Sequence, residues 1–183
     1  MQKIEVVPYD PEWPVEFERI RQRLLPILGT NCIAIEHVGS TSVPGLAAKP
    51  ILDIDVLISS RVVFPVVRDL LEASGYTHRG NLEIPGRESF AAPEGSYRHH
   101  LYVCSLDSPG VHDHMTLRDM VRARPDLRER YAAAKRGAAE RHPYDIDAYI
   151  EDKGGTIREI MATYEAEFGF DQFQPGQPPA TED

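Results

Sequence analysis

Apolar residues recur at helical spacing from Trp13 through Phe17, Ile20 and Leu24 to Leu28, after an Asp10-Pro11 pair that reads as an N-cap followed by a first-turn proline. This predicts an amphipathic first helix, kinked or ended early at Pro26 and stopped by Gly29. A strand is expected at about Ile33 to Val38, and a second, Ile51 to Ile58, alternates: Leu52, Ile54, Val56 and Ile58 point one way, Asp53 and Asp55 the other. Between them GSTSVPGLAAKP (Gly39 to Pro50) carries too many breakers for an element interior and reads as a long loop. Ser59 or Ser60 is placed to cap a helix through Val63, Val67 and Leu70 to Gly75. A segment from Tyr76 to Ile84 then turns at Pro85-Gly86 into Glu88–Ala91, a predicted hairpin.

Tyr97 to Cys104 (YRHHLYVC) reads as a further strand, with Arg98, His100 and Tyr102 on one face and His99, Leu101 and Val103 on the other. Beyond Pro109-Gly110 the pattern turns helical. It runs over residues 113–124, from Pro125-Asp126 through Leu127, Tyr131, Ala134 and Ala138, and from Ile146 through Tyr149 to Ile157, Ile160, Tyr164 and Phe168. Gly154-Gly155 is expected to break that last helix. Strands first and helices last is an α+β ordering. The helically spaced aromatics Trp13, Tyr131, Tyr149, Tyr164 and Phe168 read as packing residues with no chemistry.

The 183 residues fit one domain, about 1–170, with a core at about 11–108 and appended helices at about 112–168. Residues 171–183, with Pro175, Pro178 and Pro179 and no basic residue, read as a disordered tail. Twenty Lys and Arg against 29 Asp and Glu leave a net charge of −9, a field that argues against general nucleic-acid binding. Residues 98–141 nevertheless hold nine basic and six acidic residues, so one local basic face is open. Cys32 and Cys104 lack any metal-ligand spacing and fit two buried free thiols in a reducing compartment. Five acids within residues 1–25 argue against a signal peptide, and no apolar run reaches 18 residues, so neither membrane insertion nor export is expected and the cytoplasm is the expected location.

The chemistry concentrates around Asp53 and Asp55. Carboxylates at i and i+2 of a strand share a face at about 6.6 Å, and at an effective dielectric of about 20 they repel by roughly 2.5 kcal/mol. A water-exposed edge face relieves that repulsion, and so does a hard divalent cation, which takes carboxylate and phosphate oxygens together. Gly39-Ser40, directly after a strand, adds backbone and hydroxyl donors suited to an anion, although Gly-Ser is also common in plain turns. The GxxxxGK[ST] spacing of a P-loop is absent.

The combination of strand, Gly-Ser, loop and apolar-Asp-apolar-Asp-apolar resembles the nucleotidyltransferase superfamily typified by DNA polymerase beta. HVGSTSVPGLAAKPILDIDV (His37 to Val56), YRHHLYV (Tyr97 to Val103), LRDMVRARPDLRERYAAAK (Leu117 to Lys135) and YIEDK (Tyr149 to Lys153) resemble, in that order, the GrpB family. The resemblance spans roughly residues 8 to 168. It implies a nucleotidyltransferase-like mixed sheet with flanking helices and a C-terminal helical segment. It also implies that Gly39 and Ser40 hold an NTP triphosphate and that Asp53 and Asp55 are catalytic and bind Mg²⁺ (or Mn²⁺). The implied reaction transfers a nucleotidyl group to a small-molecule or protein acceptor with release of pyrophosphate.

Superfamily polymerases carry a third carboxylate on a later core strand, and residues 97–104 contain no acid. His100, or Glu83 or Glu88 from the hairpin, is the candidate replacement. The alternative is a catalytically silent nucleotide- or phosphometabolite-binding module; fusion of this family to dephospho-CoA kinase would make coenzyme A pathway enzymes its partners.

Lys49 lies within plausible reach of a phosphate but also reads as a solvated loop lysine. Arg98 and His100 face the acids if the strands are neighbours, either as an anion site or as a structural ion pair. Lys153 is a family position that could turn toward the cleft, depending on the glycine pair that follows it. Arg118, Arg122, Arg128 and Lys135 read as a solvated helical face. The histidines at 99, 100, 112 and 114 lack the i, i+4 spacing of a zinc hydrolase.

Overall fold

A computed structural model describes residues 3–106 and 108–168; the expected tail at 171–183 lies outside the described residues. Five strands, β1 (Ala34–Val38), β2 (Leu52–Ile58), β3 (Thr77–Gly80), β4 (Arg87–Ala91) and β5 (His99–Ser105), form one mixed sheet in the order β1-β2-β5-β4-β3. β2 runs antiparallel to β1 and parallel to β5, and β4 antiparallel to β5 and β3. The alternation in β2 sets two faces. Leu52, Ile54, Val56 and Ile58 join Leu101, Val103 and Phe90 in the main core, under helices α1 (Glu12–Leu28) and α2 (Phe64–Ala73).

The opposite face is not left to water at its far end. Leu57, Val38 and Cys104 pack there against Val111 and Met115 of α3 (Pro109–Ala123). Ser108 caps α3, its Oγ accepting from Gly110 N, so the helix starts about four residues before the sequence expectation. Helices α4 (Pro125–Arg141) and α5 (Ile146–Phe168) close over α3 and the Gly39–Pro50 loop, burying Val43, Leu46, Leu127, Tyr131 and Ile160 together.

Three local expectations are corrected. Pro26 neither ends nor shortens α1, which runs to Leu28. α2 begins at Phe64 with no side-chain cap, so neither Ser59 nor Ser60 caps it. Gly154-Gly155 does not break α5, which is continuous over 23 residues; packing on α3 and α4 outweighs a penalty of about 1 kcal/mol per glycine.

Candidate functional site

The strand registers build the site in two rows across the sheet. Val38, Asp53, His100 and Ala91 lie side by side, and Glu36, Asp55, Tyr102 and Ser89 form the next row. Asp53 and Asp55 therefore share the face expected of them, with His100 beside Asp53. Gly39 turns the chain directly over this face, at φ 67° and ψ −172°. A Cβ built on Gly39 would stand 2.3 Å from Asp53 Oδ2, so glycine is required for the loop to close on the carboxylate. The turn is tied by Ser42 Oγ donating to Gly39 O at 2.6 Å.

Burial pushes the Asp53 carboxyl up and Asp55 adds to the rise, while His100, His114 and Lys153 pull the other way. Asp55 is fully buried. His114 of α3 donates from Nδ1 to Asp55 Oδ2 at 2.9 Å. Burial works to lower the His114 pKa, but the hydrogen bond and charge of Asp55 outweigh it and the net direction is up. Asp55 Oδ1 is buried with no hydrogen-bond partner among the described residues. The unpartnered Asp55 Oδ1 and the Asp53 carboxylate on the same strand face are oxygen donors of the kind a hard divalent cation takes, although among the described residues no group of three or more His, Cys, Asp or Glu is arranged to hold a metal ion.

Facing the acids is a cavity of about 210 Å³ whose lining includes Ser40, Asp53, His100, Tyr102 and three lysines, Lys49, Lys135 and Lys153. Lys49 Nζ stands 5.5 Å and Lys153 Nζ 5.3 Å from the Tyr149 ring centroid, so two ammonium groups share one aromatic ring. Burial lowers both pKa values; the two lysines' mutual repulsion lowers that of Lys49 further, and Asp53 opposes the fall at each. Lys135 is 1% exposed and its pKa is pushed down to about 7, by burial first and then by Lys153 and Arg136. Its Nζ donates to Ala47 O and sits 4.5 Å from the Tyr131 ring centroid. Burial pushes the Tyr131 hydroxyl pKa up to about 12, and the neighbouring Ser40 side chain opposes the rise. Three crowded lysines and a hydroxyl opposite a carboxylate pair suit a polyanion that arrives with its own cation.

Of the residues singled out from sequence, Ser40, Lys49, Asp53, His100 and Lys153 line this cavity; Gly39 closes against Asp53, and Asp55 shares its strand face but is buried against His114 outside the lining. Arg98 does not line this cavity; it is exposed at the start of β5, on adjoining grooves. Glu88 points to the opposite side of the sheet, where it meets His78 at 2.8 Å, and Glu83 sits in the turn before β4; neither supplies the third carboxylate. A third acid does lie on the acidic face, Glu36 of β1, in register with Asp55, but Arg118 Nη1 holds it at 2.8 Å.

The solvated-face reading of helices α3 and α4 holds for Arg122, whose side chain is 40% exposed, and is corrected at Arg118 and Lys135. Arg118 is 5% exposed and joins Glu36, Asp119 and the His37 carbonyl. Arg122 donates to Ser42 O at 2.8 Å, and Lys135 lines the cavity. Tyr149, read from spacing as packing alone, also lines the cavity, and Tyr131, a packing residue, carries the Lys135 ammonium on its ring. The histidines disperse: His99 binds Tyr76 and the Tyr97 carbonyl, and His114 binds Asp55. Cys32 and Cys104 are free, but only Cys104 is buried.

Residues 3–163 match the family model described as GrpB protein. The chain belongs to the GrpB family. It is 34% identical over 156 residues to UPF0157 protein YqkA of Bacillus subtilis, covering 85% of this chain and 46% of that relative, so it spans less than half of YqkA. The crystal structure of conserved protein GrpB from Enterococcus faecalis superposes with a TM-score of 0.77 at 32% identity, covering 87% of this chain and 99% of that one. A chain of the GLD-2/RNP-8 complex superposes with a TM-score of 0.64 at 10% identity, over 96% of this chain and 73% of that one, a likeness of fold alone. This GrpB chain has the nucleotidyltransferase-like fold, a mixed five-stranded sheet with flanking helices. Among the described residues no helix is long and apolar enough to cross a membrane.

Proposed function

We propose that this GrpB protein is a nucleotidyltransferase that binds an NTP with Mg²⁺ (or Mn²⁺) and transfers the nucleotidyl group to an acceptor hydroxyl. The observation that carries the reading is the single cavity in which Asp53 faces Lys49, Lys135, Lys153 and Ser40. In this reading Gly39 and Ser40 donate to the phosphates and the three lysines neutralise the β- and γ-phosphate charge. Asp53 and Asp55 hold the cation, which when bound supplies charge neutralisation at the reacting phosphorus. His100 borders the cavity beside Asp53 and takes the place of the missing third carboxylate, receiving the acceptor's hydroxyl proton.

A second reading, a nucleotide-binding module without turnover, has one observation in its favour: β5 supplies His100 where a carboxylate is expected. Thermal-shift titration across NTPs and coenzyme A precursors, with and without Mg²⁺, followed by a pyrophosphate-release assay, separates the two. An Asp53→Asn, Asp55→Asn double variant is expected to lose the Mg²⁺-dependent nucleotide shift. Retention of that shift would refute the site; a shift without pyrophosphate release would leave the binding module.

A further inference from the structure

A second cavity, of about 480 Å³, adjoins the lysine cavity and shares Ile51, His100 and Tyr102 with it. It lies within the range of small-molecule pockets, roughly 300–1,000 Å³. Its floor is the outer part of the sheet, and its lining continues from His100 and Tyr102 to Ser89 and Ala91 of β4. Two arginines border it and no Asp or Glu does, although acids outnumber bases along the chain as a whole.

Each arginine is positioned by the fold. Arg98 is set at the mouth of β5, where its carbonyl accepts from Leu52 N at 3.1 Å. Arg79 sits at the β3 bulge between His78 and Gly80. His78 packs with Phe64 and Phe90 on the core side, and the extra residue brings Arg79 to the groove. Among the described residues neither Arg79 nor Arg98 makes a side-chain hydrogen bond or an ion pair. An unpartnered arginine pair over an acid-free groove is a recognition element for an anion, because guanidinium groups engage phosphate or carboxylate through paired donors.

We propose that this groove is the acceptor site, and that the acceptor is a small hydroxyl compound carrying a phosphate or carboxylate group held by Arg79 and Arg98. The assignment rests on the nucleotidyl-transfer reading. The shared wall at His100 places the acceptor between the arginines and the triphosphate. The acceptor oxygen forms a bond to the α-phosphorus as the bond from that phosphorus to the bridging oxygen breaks. Pyrophosphate leaves with that electron pair, and the hydroxyl proton passes to the His100 imidazole.

Calorimetric titration of the whole chain, without nucleotide, with glycerol 3-phosphate, glycerate and glycerol tests the groove. At least one of the two anions is expected to bind, glycerol not to bind, and whichever anion binds identifies the head group. An Arg79→Ala, Arg98→Ala double variant is expected to weaken that anion at least tenfold while its NTP affinity stays within twofold. Both side chains are exposed, so folding is not at stake. An unchanged dissociation constant in the double variant, loss of the anion in Lys153→Gln instead, no binding of either anion, or tighter binding of a short oligoribonucleotide would overturn the proposal. The Asp53→Asn, Asp55→Asn variant keeps the two readings apart: anion binding in the groove persists there even if the nucleotide site is wrong.

Discussion

Replacing Lys135 with methionine reads out the electrostatics of the cavity directly. Lys135 is 1% exposed, and among the described residues no carboxylate contact compensates its burial; its ammonium has the Ala47 carbonyl and the Tyr131 face. A pKa of about 7 in the folded chain, against about 10.4 in an unfolded one, corresponds to roughly 5 kcal/mol of discrimination against the charged form, an upper bound. The sign follows from proton binding. Between about pH 7 and 10 the unfolded chain holds more protons at this site than the folded one, so stability rises with pH across that window. Below about 7 both states are protonated and the full penalty applies. Lys135→Met, similar in volume and uncharged, is expected to raise stability near pH 7 by a few kcal/mol and to flatten the rise. Urea denaturation of both proteins at half-unit steps from pH 6.5 to 9.5 measures the difference. In the proposed function a bound triphosphate recharges the lysine, so NTP binding at pH 8 should take up protons. Calorimetry in two buffers of different ionisation enthalpy measures that uptake, which should vanish in the variant. Parallel stability profiles for wild type and variant would refute the reasoning.

Gly39→Ala is expected to lower the melting temperature and weaken Mg²⁺-nucleotide binding at least tenfold. A positive φ costs a non-glycine residue about 1–2 kcal/mol, and the added carbon meets Asp53 Oδ2 at 2.3 Å; an unchanged thermal-shift titration would refute this. Lys153→Gln should reduce NTP affinity about tenfold with no loss of stability, because burial already disfavours its charge; calorimetry and thermal melts check both halves. Arg118→Ala should cost about 3 kcal/mol in urea denaturation, since it strands Glu36 and Asp119 around a site that is 5% exposed. A loss below about 0.5 kcal/mol would mean the ion pairs are solvent-screened.

The acidic half of the site was legible because a strand has a two-residue period. Once Leu52, Ile54 and Val56 are assigned to the core, Asp53 and Asp55 must share the other face, and Gly39 needs only adjacency to reach them. The basic half was legible only in part: Lys49 and Lys153 stood out as phosphate-binding candidates, whereas Lys135 read as part of a solvated helical face. Lys135 and Tyr131 lie four apart on α4, so they share a helical face, but spacing alone does not say whether that face meets solvent or a loop. What decides it is tertiary: α4 and α5 fold back over the Gly39–Pro50 segment, burying Val43 and Leu46 beneath Tyr131 and Ile160. That same packing carries α5 through Gly154-Gly155 and so turns Lys153 toward Asp53. One local cue could have helped: the chain has only four lysines, and three of them are in the cavity. Arg79 had no cue, because a bulge is set by pairing with β4 and not by composition.

Two like-charge clusters confront each other across the cavity, and each costs stability on its own. On the sheet side, burial and Asp55 raise the Asp53 pKa; on the helix side, burial and mutual repulsion lower those of Lys49 and Lys135. Had the clusters evolved only to satisfy one another, direct carboxylate-ammonium pairs would be expected between them. Instead, Asp55 pairs with His114, Lys135 with a backbone carbonyl, and Lys49 and Lys153 share the Tyr149 ring. The separation keeps both halves available to outside partners. A free cation answers the acids alone and a free polyphosphate the lysines alone, whereas a metal-polyphosphate complex answers both at once. The two components should therefore bind with positive coupling, each tightening the other by the same factor.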